Sequence, residues 1–407
     1  MEFDEIRRWV KLEKTSDAVG FADLLLEQAV LHRASAIHFD RVEGNLEVRY
    51  RVDGFLHDIV RLQEGEQDRL IARLKVMGGL DAHEHSVPQD GRISTEIGGK
   101  RLDLRMATIP TVNGERAVVR VFDSDKLVLS FDELGFYKES REQLEALLSD
   151  LRGLFLVTGP TGSGKTTTLY ATLLRMEELK REEACILSVE EPVEINFKRF
   201  PQVEVNERRK LGFSQCLRAA LRQDPQVIMV GEIRDPETCR IALRAGLTGH
   251  LVLTSVHAGQ AAEGVTRLLG MGMEPYIVAS ALSAIVSQRL VRIICRKCKT
   301  TEDPPEYVSR AVEQWFQNEE VRLFRGRGCS HCNGTGYFGR TVVSEQMLLD
   351  DVLRRAIVDG ASTMDLHQIA QARGMTTLTE DGLQKVRYGK TTLEELTRTL
   401  GTVFRLD

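Results

Sequence analysis

Long apolar runs are missing from this 407-residue chain. Its longest, such as Gln226–Val230 and Leu251–Val256, fall far short of the roughly 20 residues that cross a bilayer. Met1–Lys14 mixes acids and bases without an apolar core, so it does not read as a signal peptide. The expectation is a cytoplasmic protein that meets a membrane only through partners. An excess of one charge is missing too: 55 Lys and Arg against 60 Asp and Glu leave a formal net charge of −5. That balance argues against a generic nucleic-acid coat protein, and no nucleic-acid partner is expected. There is no repeat, no low-complexity tract and no coiled-coil heptad pattern. What is present is ordinary for globular domains, with 42% hydrophobic and 28% charged residues. The length predicts two or three domains.

Periodicity divides the chain. An apolar face built on Ala22, Leu24, Leu25, Leu26, Ala29 and Val30 predicts a helix over 18–35. Ala36–Asp40 follows. In Leu46–Asp53 the residues Leu46, Val48 and Tyr50 alternate with Glu47, Arg49 and Arg51, a strand that turns at Asp53-Gly54 into a hairpin. A helix near 66–78 and strands near 101–108 and 116–123 complete a small α+β domain. From Leu154 the pattern becomes strand–helix alternation: strands at 154–158, 186–190, 226–230 and 251–255, with helices at 165, 214–221 and 237–246 between them. That order predicts a largely parallel, doubly wound sheet. Residues 260–290 read as helices, and 349–400 as a mostly helical tail.

The chemistry starts at Gly159-Pro160-Thr161-Gly162-Ser163-Gly164-Lys165-Thr166, which fits G-x-x-x-x-G-K-[ST] between a buried strand and a helix start. Glycines there let backbone N–H groups converge on phosphate oxygens, and the helix N-terminus adds its positive end. Lys165 can reach the β- and γ-phosphates of ATP, and the Thr166 hydroxyl can ligate Mg²⁺. A glycine-rich turn that binds nothing is the competing reading, disfavoured by the strand and helix context. Asp224–Glu232 is an apolar strand ending in a carboxylate, the Walker B pattern, with Glu232 the acid for Mg²⁺. Leu187–Pro192 places Glu190 and Glu191 at another strand end. In a parallel sheet such ends gather beside the phosphate loop. One of the two acids is a candidate to orient or deprotonate the attacking water; the bland alternative is a solvated turn. His250 and His257 bracket Leu251–Val256. Each reads as a hydrogen-bonded structural residue or as a γ-phosphate or interface sensor.

Seven cysteines divide into three scattered singly, Cys185, Cys216 and Cys239, and two C-x-x-C pairs, Cys295/Cys298 and Cys329/Cys332. In a reducing compartment the pairs read as a closed structural zinc site of four thiolates rather than disulfides. The gap of 30 residues leaves room for a helix at Tyr307–Gln317. His331 is an alternative ligand by spacing. Arg49, Arg51, Arg101, Arg105, Arg116 and Arg120 recur on strands of the first domain. They either face solvent and pair with acids, or reach a nucleotide held by a neighbouring subunit.

Taken in order, these motifs resemble the secretion ATPase family of type II secretion, type IV pilus assembly and pilus retraction motors. Thr158–Tyr170 looks like its Walker A, ILSVEEPVEI its acidic box, LRQDPQVIMVGEIRD its Walker B and TGHLVLTSVHA its histidine box. PQDGR and PTVNGERAVVR look like the domain that precedes its core. The resemblance implies a PAS-like α+β domain (18–130) after an N-terminal segment (1–17). A RecA-like P-loop core (131–290) follows, then an inserted tetracysteine zinc module (291–340) and a helical C-terminal region (341–407). It implies a homohexamer with ATP and Mg²⁺ bound between subunits through Gly159–Thr167, Thr167 included. Glu190 is then the catalytic glutamate, Glu232 the Walker B acid and His257 the histidine-box residue. Arg105 and Arg120 become the arginines that reach the nucleotide from the first domain. Zn²⁺ on Cys295, Cys298, Cys329 and Cys332 matches the assembly and secretion branch, since the retraction branch lacks that module. The implied partners are inner-membrane platform and docking proteins. A RecA-like nucleic-acid translocase is the alternative. Two departures stand out: Glu191 replaces the usual Asp, and Ala36 replaces the Asp of the family's RASDIH segment. Longer relatives carry a further docking domain, whereas about 17 residues precede the first helix here; the chain is expected either to be truncated or to recruit its partner differently.

Overall fold

Alternation between buried and half-buried side chains along β2 (Asn45–Val52) follows directly from its sequence: Leu46, Val48, Tyr50 and Val52 point inward and the residues between them outward. The computed structural model describes residues 18–63, 67–97, 99–122, 128–206, 209, 211–302, 315–316 and 321–401. The expected segment 1–17 and nearly all of the expected helix Tyr307–Gln317 lie outside these residues. The chain divides into two compact units. The first contains the described residues up to 122 with Cys295–Cys298 and Gly326–Gly339; the second contains the rest.

In the first unit a six-stranded sheet runs β3 (Phe55–Leu62), β2, β1 (Ala36–Val42), β6 (Gly114–Phe122), β5 (Lys100–Thr111), β4 (Gln89–Ile97). All its pairings are antiparallel. Asp53 and Gly54, at φ 48° and 90°, make the two-residue turn that the sequence announced between β2 and β3. Helices Ala18–Leu31 and Gln67–Met77 cover one face, burying Leu25, Leu26, Leu70, Ile71 and Leu74 against Ile37, Phe39, Val48 and Tyr50. The Tyr50 hydroxyl donates to the Leu25 carbonyl at 2.7 Å, which satisfies the one polar atom of that buried ring. Strand β4 was not foreseen, and the reason is physical: of its nine residues only Ile93 is fully buried, so it carries no alternation to read.

One buried charge pair crosses this unit. Lys75, on the second helix, places Nζ 2.9 and 3.1 Å from the Glu115 carboxylate of β6, and both side chains are at most 2% exposed. Removing one partner of such a pair leaves a buried charge uncompensated. Glu115→Gln is therefore expected to destabilise the full chain by about 3 kcal/mol. A denaturant titration of the wild type and the variant reads this directly, and coincident first transitions would contradict it.

The second unit is built on a seven-stranded sheet in the order β15 (Tyr337–Leu348), β12 (Leu282–Ile294), β7 (Gly153–Thr158), β11 (Leu251–Val256), β10 (Val227–Val230), β8 (Ile186–Glu190), β9 (Gln202–Glu204). Neighbours from β12 through β9 pair in parallel. Every residue of β7, β8, β10 and β11 is buried, as strands covered on both faces must be. Helices Lys165–Lys180, Phe213–Ala220 and Pro236–Leu247 connect them. The stretch 260–290 is helical only to Ala281, through Ala261–Gly270 and Pro275–Ala281. From Leu282 it becomes β12, beside β7. A short run buried on all sides does not reveal its period, which is why LSAIVS reads as a helix in sequence. Among the described residues four helices follow β15: Asp351–Val358, Thr363–Ala372, Leu378–Arg387 and Leu393–Leu400. Between the two cysteine pairs, β13 (Lys299–Glu302) and β14 (Leu323–Gly326) form a small two-stranded sheet.

Candidate active site and metal centre

Register fixes where the catalytic candidates meet. Thr158 lies opposite Val256 and Val230 opposite Val189, so β7, β11, β10 and β8 end along one edge. The phosphate loop leaves β7 there, Glu190 closes β8, Glu232 follows β10 and His257 follows β11. This is the strand-end edge where ligands bind open parallel sheets.

The loop needs its glycines. Gly159 sits at φ 150°, and a Cβ there would lie 2.4 Å from Ser163 Oγ and 2.7 Å from the Gln288 carbonyl oxygen. Gly164, at φ 89°, is the left-handed residue that opens helix Lys165–Lys180. Pro160, Thr161 and Gly162 form the exposed crest, and Thr166 and Thr167 lie half-buried in the first turn. Lys165 Nζ donates to the carbonyls of Gly159 (2.9 Å) and Pro160 (3.2 Å) and lies 3.3 Å from His257 Nδ1. Burial lowers its pKa, with the Glu232 charge acting against that shift. Ser163 Oγ is buried without a hydrogen-bond partner. A helix N-terminus bearing a cationic amine and an unsatisfied hydroxyl fits the phosphate tail of a nucleotide.

His257 Nε2 stands 2.8 Å from Glu232 Oε1, and Arg234 Nε donates to Glu232 Oε2 at 2.9 Å. Arg234 Nη1 continues to Glu191 at 3.1 Å. Lys165, His257, Glu232, Arg234 and Glu191 thus form one polar chain. Glu190 is only 3% exposed and Glu191 half-exposed, so the structure separates two acids that spacing alone left equivalent. His250 is bound at the end of helix Pro236–Leu247, its Nδ1 3.1 Å from the Ala245 carbonyl, which is a structural role. Sequence reasoning missed Gln288. Fully buried on β12, it donates to the Ser163 carbonyl and accepts from the Thr168 hydroxyl, both at 2.9 Å, bracing the phosphate loop from behind. The available signal was a glutamine inside a run that otherwise reads as buried, since such an amide requires partners.

In the first unit, Arg105 faces Arg120 across β5 and β6, Arg92 faces Arg105 across β4 and β5, and both Arg51 and Arg120 face Ala36 of β1. Register therefore lines four arginines in one row, with an alanine between Arg120 and Arg51. Like charges facing each other weaken a sheet, so a row of this kind favours an anionic ligand. Arg49 and Arg116 both bind Asp40. Burial alone would raise the Asp40 carboxyl, but these two partners bring it below its usual range. The Arg101 side chain lies outside the described residues.

Cys295, Cys298, Cys329 and Cys332 place all four Sγ atoms within 4.8 Å of one another. The distances Cys295–Cys329, Cys298–Cys332 and Cys329–Cys332 are 3.9, 3.8 and 3.7 Å. A tetrahedron with Zn–S bonds of about 2.3 Å has edges of about 3.8 Å, so the donor set fits that ion. Backbone N–H groups of Cys329 and Gly336 point at Cys332 Sγ from 3.2 and 3.3 Å, as they do toward thiolates. His331 is not a ligand; its ring stacks on Phe338.

Fold and site together define a P-loop ATPase with a RecA-like core. A family model described as type II/IV secretion system protein matches residues 12–398. The chain belongs to that family. It is 42% identical to the type II secretion system protein HxcR of Pseudomonas aeruginosa, over 97% of this chain and 80% of that protein. It is 41% identical to the type IV pilus assembly ATPase PilB of Thermus thermophilus, over 98% of this chain but only 44% of PilB. Among solved structures, the pilus retraction motor PilT with bound ADP superposes with a TM-score of 0.61 at 25% identity, covering 92% of this chain and 95% of PilT. The DotB ATPase of Legionella pneumophila shares the fold, at a TM-score of 0.70 and 20% identity over 95% of this chain and 96% of that one. No helix among the described residues is long and apolar enough to cross a membrane.

Proposed function

We propose that this chain is the cytoplasmic motor of a type II secretion or type IV pilus assembly machine. It would work as a homohexamer and reach the inner membrane through platform and docking partners. The observation that carries the reading is the cluster of Lys165, His257 and Glu232 at the strand-end edge beside the phosphate loop. The backbone N–H groups of Gly159–Thr167, Pro160 having none, and the Lys165 ammonium hold the triphosphate of ATP. Lys165 leaves its two carbonyl partners to meet charge building on the transferring phosphoryl group. Glu190 accepts a proton from the attacking water as its oxygen bonds to the γ-phosphorus and ADP departs. Thr166 and Glu232 are the residues to hold Mg²⁺, which, when bound, neutralises phosphate charge. His257 links Glu232 to Lys165 and so reports the state of the γ-phosphate to the Walker B acid. Arg105 and Arg120 supply positive charge to a nucleotide held by a neighbouring subunit. Zinc on the four cysteines is structural, since all four positions of a tetrahedral ion are taken by sulfur.

Steady-state ATP hydrolysis by the purified chain, beside Glu232→Gln and with and without DNA, tests this. Turnover that falls at least about a hundredfold in the variant and ignores DNA is the expected result. Strong stimulation by DNA would transfer the chain to the translocases, and an unchanged rate in the variant would remove Glu232 from the site.

A further inference from the structure

In the reading above Glu190 takes the proton, and its buried carboxylate is already engaged by three donors. Ser188 Oγ donates to Oε1 at 2.5 Å and Gln202 Nε2 to the same oxygen at 2.9 Å. The Tyr170 hydroxyl donates to Oε2. An ionised carboxylate offers about four lone-pair sites. Both on Oε1 are filled and one on Oε2 is filled, so a single acceptor position remains. We propose that Tyr170, with Ser188 and Gln202, is a positioning clamp that fixes the Glu190 carboxylate and leaves one acceptor position, on Oε2, for the attacking water. This rests on Glu190 being the base.

Each arm of the clamp is itself fixed. Tyr170 lies in the helix that begins at Lys165, so the residue that holds phosphate and the residue that holds the base share one rigid element. Its ring meets Phe197 edge-on, with centroids 4.9 Å apart, and Phe197 stacks on Phe200 at 5.5 Å. Burial and then the Glu190 charge raise the phenol well above its usual range, so it stays a neutral donor. Gln202 lies opposite Ser188 in the β8–β9 register. Its Oε1 accepts from Phe197 N at 2.6 Å and its Nε2 also donates to the Ile195 carbonyl at 2.9 Å, so the amide has no freedom to turn. A hydroxyl that only satisfied a buried acid would matter for stability. One that aims the acid matters for the chemical step, because a small misplacement of a base lowers the rate without changing how substrate binds.

Tyr170→Phe separates these roles, since it keeps the ring against Phe197 and deletes one donor. In the full chain with Mg²⁺, kcat should fall about tenfold while KM for ATP stays within about twofold. Gln202→Leu should act alike through Oε1, and stands in should Tyr170→Phe fail to fold. In a Glu190→Gln background neither change should lower turnover further, because the group they aim is gone. Wild-type kcat in Tyr170→Phe and Gln202→Leu beside an inactive Glu190→Gln would overturn the clamp and leave the base in place. A rise in KM matching the fall in kcat, or lost rate tracking lost folded protein, would overturn it in favour of a structural hydroxyl. Near-normal turnover in Glu190→Gln would remove the base itself and the clamp with it.

Discussion

Alanine at Lys165 should reduce ATP turnover by about a thousandfold and leave the fold nearly untouched. The size follows from what the ammonium does: it is a preorganised positive charge at the place where phosphoryl charge builds, and removing one such group typically costs about 10² to 10³ in rate. The indifference of the fold follows from its partners. Nζ is held by two loop carbonyls and stands beside a histidine. Burial lowers its pKa, so the folded state disfavours its charge instead of relying on it. Removing the side chain therefore strands no counter-ion, and the melting temperature should move by no more than about 3 °C. Turnover and thermal melting of the two proteins, measured together, decide the matter. Near-normal hydrolysis would detach the loop from catalysis, and a collapse of the melt would show that the loss of rate was only a loss of structure. Glu232→Gln should also stop turnover, yet with the Lys165 ammonium intact it should bind nucleotide more tightly than Lys165→Ala does.

The phosphate loop was legible in the sequence because its function is written in backbone conformation. Gly159 and Gly164 occupy positions a side chain could not, and local order suffices to recognise them. The cysteine pairs were legible for a similar reason, since a knuckle is a local object. The acidic box was only half legible: spacing brought Glu190 and Glu191 to one strand end, the resemblance singled out Glu190, and burial separates the two. Tyr170, Ser188 and Gln202 converge on Glu190 from two strands and a helix, and no motif records that convergence. The arginine row is a property of register. Arg51, Arg92, Arg105 and Arg120 are scattered through 70 residues and align only once β1 to β6 pair. Ala36, read from the sequence as a departure, falls between Arg120 and Arg51 in that row. The passage into β12 shows the limit from the other side: Ala284–Gln288 are all buried, and where every residue of a run is buried, periodicity carries no information.

Loss of zinc from the four cysteines should destabilise the first unit well beyond the knuckle that bears them. The knuckle at 326–339 is a poor structure by itself. Gly328, Asn333, Gly334 and Gly336 all have positive φ, and Gly326 and Gly336 approach so closely that a Cβ on either would strike the other's backbone. The thiols also lean in opposite directions: burial pushes Cys298 up to about 12 and raises Cys295, while the Cys332 backbone N–H brings Cys329 down to about 7. A divalent cation bound there would remove that conflict by drawing off the protons together; structural zinc in small peptides binds with about 10 kcal/mol or more at neutral pH. What it would hold in place extends beyond the knuckle. Asn333 Nδ2 lies 3.3 Å from His32 Nδ1, the Arg33 guanidinium lies 3.6 Å over the Phe338 ring, and Gly339 N donates to Asp53 at 3.1 Å. Asp53 is the turn residue between β2 and β3, so loss of the ion would loosen the knuckle and the contacts that tie it to the first domain. Protein purified without chelator should carry one zinc per chain by elemental analysis. Cys332→Ser should lose that zinc and lower the first unfolding transition by roughly 10 °C, with faster amide exchange at 326–339 and in the β2–β3 turn. Its loss should also be pH-dependent, because protons compete with the ion for the thiolates and the metal leaves as pH falls. Metal-free protein with wild-type melting and unchanged exchange would mean that the thiols hold the knuckle unaided.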